Sequence, residues 1–499
     1  MKLLCAIFFL ALLIRFLYFP NNINFAYDQA RDSFAALDIL RGDLKVLGPP
    51  TTAGGNIFHG ALFYYILAPI YFLFNHNPEV AAALFRILNA IGVILVFYIG
   101  AAIFNKEVGL LAAFLYAISF EQSQYALFFG HPALGVFSVL IFYLGLTLWI
   151  FKNKPWGFII ALGGLGLSIQ FEDANILLIL NLVLVLLIWY RKIKLLNFKI
   201  ILFSLLTLGV ILSTFILSEV KYNFRMTGSL FGVASNLNRS ANFDIEQKFN
   251  VLIRLVHDNF LANINLSIIG IISLTILSLI FLCKSNYRQR IIFLTIWFLG
   301  GMIPHLLNNS FTYYYSPAAT VSLLIFVSFL IYWLYTKQKV VSTLLLGTLV
   351  FSNIWLITNN NYKGPGADIV IQPGMLTSHQ RQVIDYIYNE SNGEDFSANA
   401  LTVPLNIKTT WDYLFNWYGR DRYGYTPVWG GEAADGFAGY LQVETDRSKL
   451  PDRRFTIIEP TIGIAEKQVE DFFRIENYFT KIIEEKRFGT ITVQERQPI

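Results

Sequence analysis

The stretch Phe25-Ala26-Tyr27-Asp28-Gln29-Ala30-Arg31-Asp32 holds residue types suited to proton transfer and anion binding. Asp28 and Asp32 are four apart, so on a helix they share a face, and Arg31 sits beside them. A carboxylate next to an arginine suits a reaction in which an anionic group departs while an acceptor hydroxyl or amine loses a proton. The carboxylate accepts the proton or orients the nucleophile, and the cation offsets charge developing on a phosphate. The same residues equally fit a solvated helix start with Asp28 as its N-cap. Glu172-Asp173 is a second acidic pair, at the end of an apolar run after Gln170. An acid at membrane depth is a functional candidate, whereas at a span boundary it is simply interfacial. His305, after Pro304, reads as a hydrogen-bonded structural histidine. Arg225 and Arg239 suit phosphate binding or plain solvation.

The elements that must position these residues are membrane spans. The chain has 499 residues, 55% hydrophobic and 14% charged, with a mean hydropathy of +0.52. A soluble domain carries roughly 25% charged residues. Apolar runs long enough to cross ~30 Å of hydrocarbon recur, at 3–20, 80–104, 107–121, 133–151, 155–171, 173–190, 199–220, 263–283, 290–307, 314–335 and 338–358. The N-terminal run has no small-residue cleavage pattern, so it reads as a retained first span. The run 60–75 is short for a crossing and contains Pro69. With 60–75 left out, one side receives Lys2, Lys106, Lys152, Lys154, the Arg191/Lys192/Lys194/Lys199 run, Lys284/Arg288/Arg290 and Lys337/Lys339. The opposite short loops, 122–132, 172 and 308–313, contain no Lys or Arg. That is the positive-inside pattern, and it predicts a cytoplasmic N-terminus and about eleven spans, within a range of about 11 to 13.

Two long outer segments follow from this topology, 21–79 and 221–262. The tail opens on Lys363-Gly364-Pro365-Gly366, a turn-rich linker. Ser378 is placed to cap a helix running to about Asn389, strands are expected at 454–458 and 488–494, and a helix at 465–475. The domain division is therefore 1–358, a transmembrane catalytic module, and 359–499, a small extracytoplasmic α/β domain. The fold class is mainly α, a polytopic helical bundle with that soluble domain appended. The net charge of +5 sits largely in short loops, so the partner is the membrane and not nucleic acid. Two cysteines, Cys5 and Cys283, exclude a disulfide framework and a cysteine metal site.

The order of motifs resembles the GT-C superfamily of glycosyltransferases. The similar branch comprises dolichyl-phosphate-mannose protein mannosyltransferases and bacterial aminoarabinose and lipopolysaccharide-core sugar transferases. The residues carrying the resemblance are Tyr27-Asp28-Gln29-Ala30-Arg31, Gly48-Pro49-Pro50, His59-Gly60-Ala61-Leu62-Phe63-Tyr64-Tyr65, Ala83-Leu84-Phe85-Arg86-Ile87-Leu88-Asn89-Ala90 and Leu110-Leu111-Ala112-Ala113-Phe114. The ordered pattern covers roughly residues 1–335. It implies that Asp28 matches the acidic position that activates or orients the acceptor, and that His59 matches the basic or polar position near the donor phosphate. Gln29 stands where the family often has Glu. Gly130-His131-Pro132 stands where related oligosaccharyltransferases place metal-holding acids.

These readings lead to an expected function. The chain would transfer a sugar from a polyprenyl-phosphate donor to an extracytoplasmic glycan, lipid or protein acceptor, with inversion. Asp28 is the expected catalytic base, with Arg31, Asp32, His59, His131, Glu172 and Asp173 as substrate-binding residues. No cofactor is expected: lipid-monophosphate donors of this branch generally need no metal, and a divalent metal, although possible, has no support in the motifs. The alternative class is a transporter or lipid-linked-glycan flippase, whose marks are mid-span charges and internal symmetry between halves; neither is present. Thr410-Trp411-Asp412-Tyr413 resembles part of the acceptor-reading motif of oligosaccharyltransferases, and equally suits a folded aromatic core.

Overall fold

The computed structural model of the chain describes residues 1–51, 56–230, 232, 245–307 and 315–499. Arg239 and the loop 308–313 lie outside these residues. Apolar runs become helices because a backbone in hydrocarbon must satisfy its own N–H and C=O groups. In chain order these are α1 (Lys2–Arg15), α2 (Tyr27–Leu40), α3 (Leu62–Leu73), α4 (Pro78–Ile103), α5 (Lys106–Ile118), α6 (Phe120–Leu127), α7 (His131–Lys152) and α8 (Gly157–Phe171). A 3₁₀ turn at Asp173–Leu177 leads into α9 (Leu178–Ile188). Next come α10 (Phe198–Ile211) and α11 (Ser213–Lys221), which meet at a bend of 61°. The helical part ends with α12 (Ile245–Asn259), α13 (Ile264–Cys283), α14 (Ser285–Leu307), α15 (Val321–Tyr335) and α16 (Lys339–Asn360).

Each predicted span carries a helix, and the protein is a multi-pass membrane protein. Among the described residues five helices, α4, α7, α13, α14 and α16, are long and apolar enough to cross, and the bent α10–α11 pair makes a sixth if it is one span. Helix α3 has 12 residues, about 18 Å at 1.5 Å per residue, and like α8 and α15 is a shorter apolar helix than the five above. Helix α1 ends at Arg15, before the apolar run does. The Arg15 side chain is fully buried. It donates to Asn89 Oδ1 at 2.8 Å, Ala117 O at 2.8 Å and Tyr116 O at 2.9 Å, while Arg86 Nη1 donates to Arg15 O at 2.9 Å. Cys5 and Cys283 are both free thiols.

The chain divides into two compact units. The first comprises Met1–Leu17, Lys45–Phe63 and Ala83–Asn361; the second comprises Tyr18–Leu44, Tyr64–Ala82 and Tyr362–Ile499. In the first unit α7 and α8 pack backbone to backbone through glycines. A Cβ at Gly145 would lie 2.3 Å from Ala161 N, and one at Gly164 would lie 2.3 Å from Phe142 N. Small residues at a helix interface are the usual means of close packing where no water drives association.

In the second unit a five-stranded sheet runs in the order β2-β1-β3-β5-β4, with β1 (Phe396–Leu401), β2 (Val428–Trp429), β3 (Arg453–Ile458), β4 (Thr480–Phe488) and β5 (Ile491–Pro498). Strand β1 is parallel to β2 and β3; β5 is antiparallel to β3 and β4. The strand expected at 488–494 is instead the turn of the β4–β5 hairpin and the start of β5, with Gly489 at φ +61° in the turn. Helices α17 (Thr377–Ser391) and α19 (Glu466–Phe479) match the expected ones, and α18 (Thr409–Leu414) lies between them in sequence. Ser378 does not cap α17: Leu376 holds that position, and Ser378 Oγ donates to Asn21 O at 2.9 Å.

Candidate functional site

In the second unit, α2 begins after Ala26, so Asp28 lies inside its first turn and is not the N-cap. The Ala26 N–H is taken by Gln29 Oε1 at 3.0 Å, which explains an amide at that position: it closes the helix start. The Asp28 carboxylate is left to Arg31, whose Nη1 lies 2.6 Å from Asp28 Oδ1. Arg31 also reaches Asp32 Oδ1 through Nε at 2.9 Å and Nη2 at 2.8 Å. The shared face expected for Asp28 and Asp32 is thus joined by one guanidinium, which lies 5.5 Å from the Tyr27 ring centroid. Burial would lower the Arg31 pKa, but Asp32 and Asp28 outweigh it and hold the guanidinium above its ordinary value. The Asp28 side chain is 44% exposed and that of Asp32 is 4% exposed. Asp28 is therefore the solvent-accessible carboxylate of this trio.

In the first unit, His59, His131, Glu172 and Asp173 come together. The segment before His59 folds back on itself, with Gly48 N–H to His59 O and His59 N–H to Pro49 O, both 2.9 Å. The next residue ties this segment to the end of α8, Gly60 N–H to Gln170 O at 3.0 Å. Only glycine permits this approach, since a Cβ at Gly60 would lie 1.7 Å from Gln170 Oε1. This juxtaposition puts His59 Nδ1 3.9 Å from Asp173 Oδ1. The His131 ring, at the start of α7, stacks on Phe63 at 4.0 Å between centroids and lies 5.3 Å from the His59 ring. Glu172 and His131 are buried.

Two further features of the first unit were not picked out from sequence. Glu121 is fully buried. Its Oε2 accepts from Asn259 Nδ2 at 2.5 Å and from Thr320 Oγ1, and Ser119 Oγ donates to Asn259 Oδ1 at 2.8 Å. Its signal was an acid at the end of an otherwise apolar run. The second is an apolar groove of about 670 Å³ whose walls come from α9, α12, α13, α14 and α15, with Asn181, Lys248 and His305 among its lining residues. His305 Nε2 is 2.9 Å from Ser316 Oγ, and its carbonyl accepts from Lys248 Nζ, so the structural reading of this histidine holds. Arg225 is exposed.

The Thr410–Tyr413 stretch is core. Trp411 and Asp412 are fully buried; Trp411 Nε1 donates to Glu459 at 2.9 Å, and Asp412 accepts from Tyr440 N–H at 2.7 Å and Leu441 N–H at 2.9 Å. Side chains so enclosed cannot read an acceptor.

Residues 59–217 match the family described as dolichyl-phosphate-mannose-protein mannosyltransferase. Among solved structures, ArnT from Cupriavidus metallidurans bound to undecaprenyl phosphate aligns over 98% of this chain and 97% of its own, with a TM-score of 0.52 and 10% identity. This is a GT-C fold. The oligosaccharyltransferase AglB from Archaeoglobus fulgidus, in complex with an inhibitory peptide and a dolichol-phosphate, aligns over 98% of this chain and 73% of its own, with a TM-score of 0.51 and 12% identity. The apo structure of the A. fulgidus enzyme gives a TM-score of 0.51 at 12% identity over 85% of this chain, which spans 64% of that one. No curated protein matches in sequence. At 10–12% identity these likenesses show the fold.

Proposed function

We propose that this chain transfers a sugar from a polyprenyl-phosphate carrier to an extracytoplasmic acceptor, with inversion at the anomeric carbon. The observation that carries the reading is the apolar groove of about 670 Å³ with Lys248 in its lining. An isoprenoid tail fits such a groove by apolar packing of the kind it makes among lipid tails, and a lysine ammonium is a point charge for its phosphate. The neighbours bound to undecaprenyl phosphate and dolichol-phosphate agree with a carrier of this kind.

In this reading Asp28 accepts the acceptor proton, and Arg31 orients it through the 2.6 Å contact. Asp32 fixes the far side of the guanidinium. His59, His131, Glu172 and Asp173 are the residues this reading assigns to the donor head. The repeated basic loops support a cytoplasmic N-terminus and an extracytoplasmic C-terminal domain. The chain reconstituted in vesicles with polyprenyl-phosphate sugars should transfer sugar to an acceptor. Asp28→Asn should lower turnover at least about 100-fold, as expected for loss of a general base. Lys248→Ala should raise the donor KM with less effect on kcat. Full turnover in Asp28→Asn would remove that residue from the role.

A further inference from the structure

Within the second unit a cleft of about 1090 Å³ lies among α19, strands β1 and β3 and the loops before β3. One wall is a face of α19. Gln468, Phe472, Ile475 and Phe479 all line the cleft, and their spacing of three or four residues puts them on one side of the helix. Ile475 is 43% exposed and Phe479 is 41% exposed, so the apolar part of this wall is not packed away. Asn399 of β1 and Arg454 of β3 line the cleft from the sheet.

The polar groups of the cleft are held in place by one another. Glu476 is buried; its Oε1 accepts from Arg447 Nη2 at 2.6 Å and Asn399 Nδ2 at 3.1 Å, and its Oε2 from Thr456 Oγ1 at 3.1 Å. The Arg447 guanidinium lies 4.9 Å from the Phe479 ring centroid. Arg454 donates to Pro451 O and Arg447 O, both at 3.0 Å, which ties the loop before β3 to the sheet. Gly431 brings the segment after β2 against β1, since a Cβ there would lie 2.1 Å from Asn399 Oδ1. Gln468, Ser448 and Asp452 add an amide, a hydroxyl and a carboxylate on the exposed side of the cleft. Donors and acceptors set in this way lose little freedom when a ligand arrives.

We propose that this cleft binds an oligosaccharide of uncharged or amine-bearing sugars. Apolar and aromatic surface beside planar polar side chains matches a pyranose ring, whose C–H face packs on the former while its hydroxyls donate to and accept from the latter. The volume exceeds the roughly 300–1,000 Å³ of an ordinary small-molecule pocket, which suits several linked sugars and not one. Five acids stand in the lining against two arginines, a balance that repels sulfated or phosphorylated chains. A peptide strand finds no backbone to pair with here, because β1 and β3 each have a neighbouring strand on both sides. Oligosaccharide binding stands whether or not sugar is transferred. Only its use as the acceptor rests on the transferase reading.

The test uses the full chain in detergent, titrated in a calorimeter with mannohexaose, chitohexaose, the deacetylated amine form of chitohexaose, a heparin hexasaccharide and a neutral octapeptide. Saturable binding of at least one of the first three is expected, at one per chain, with the heparin fragment and the peptide binding more weakly or not at all. Phe472→Ala should weaken that binding about tenfold, as loss of an aromatic platform does, and Gln468→Ala should weaken it several-fold. Thermal unfolding shows whether each variant is folded; should Phe472→Ala fail to fold, the exposed Gln468→Ala decides. A chain that binds none of the three sugars, one that prefers heparin or the peptide, or folded variants that bind as tightly as the parent, each overturn the proposal. Sugar binding without transfer from any donor sinks only the transferase reading, and transfer without sugar binding sinks only this one.

Discussion

Asp28 sits one turn inside α2 because Gln29, not Asp28, answers the Ala26 N–H. Its carboxylate is thereby left to Arg31 and to solvent. The same scale governs Glu459 in the second unit, a fully buried acid. It accepts from Gln372 Nε2 at 2.8 Å, Val403 N–H at 2.8 Å and Trp411 Nε1 at 2.9 Å. Burial raises its carboxyl from 4.5 to about 7, while those three hydrogen bonds pull the other way. The folded state therefore holds the proton where the unfolded chain has released it. This stability is fully present below pH 4.5 and is lost as pH rises through about 7. Glu459→Gln should flatten that part of the stability profile of the C-terminal domain, read by tryptophan fluorescence on unfolding between pH 4.5 and 8. An unchanged slope would show that Glu459 is not the group responsible.

At the scale of elements, glycine decides which helices can meet. The α7–α8 contact leaves no room for a side chain at Gly145 or Gly164, and forcing one in costs about 1–3 kcal/mol or more. Gly209, on α10, has nothing within 4 Å of a built Cβ. Gly164→Leu should therefore lower the melting temperature in detergent by several degrees or prevent accumulation, whereas Gly209→Ala should be silent or slightly stabilising through helix propensity. Equal effects at the two positions would contradict this packing. Gly60 acts likewise at the functional cluster, because its missing side chain lets the His59 segment reach the end of α8.

At the scale of the whole molecule, the second unit is assembled from three stretches of chain. Phe25 and Phe34 lie against Tyr413 at 5.2 Å and 5.3 Å between centroids, Tyr413 Oη donates to His76 O at 2.6 Å, and Thr377 N–H bonds Ile23 O at 2.9 Å. A chain ending at Asn361 would leave Phe25, Phe34 and Tyr71 without their packing partners. It should aggregate or be degraded, as judged by size-exclusion profile and protease sensitivity; a monodisperse, protease-resistant product would refute the interdependence. Hydropathy and charge belong to segments, so the membrane class, the helix positions and the α/β character of the tail were legible in the residues themselves. The spacing of Asp28, Arg31 and Asp32 was legible too, because three or four residues make one helical turn. The meeting of His59 with Glu172 and Asp173, more than a hundred residues apart, follows from a backbone contact at Gly60 that no local pattern encodes. The enclosure of Glu121, the groove beside Lys248 and the burial of Trp411 likewise follow from which surfaces pack together. Periodicity assigns a face to each element, and only the packed chain assigns that face its neighbour.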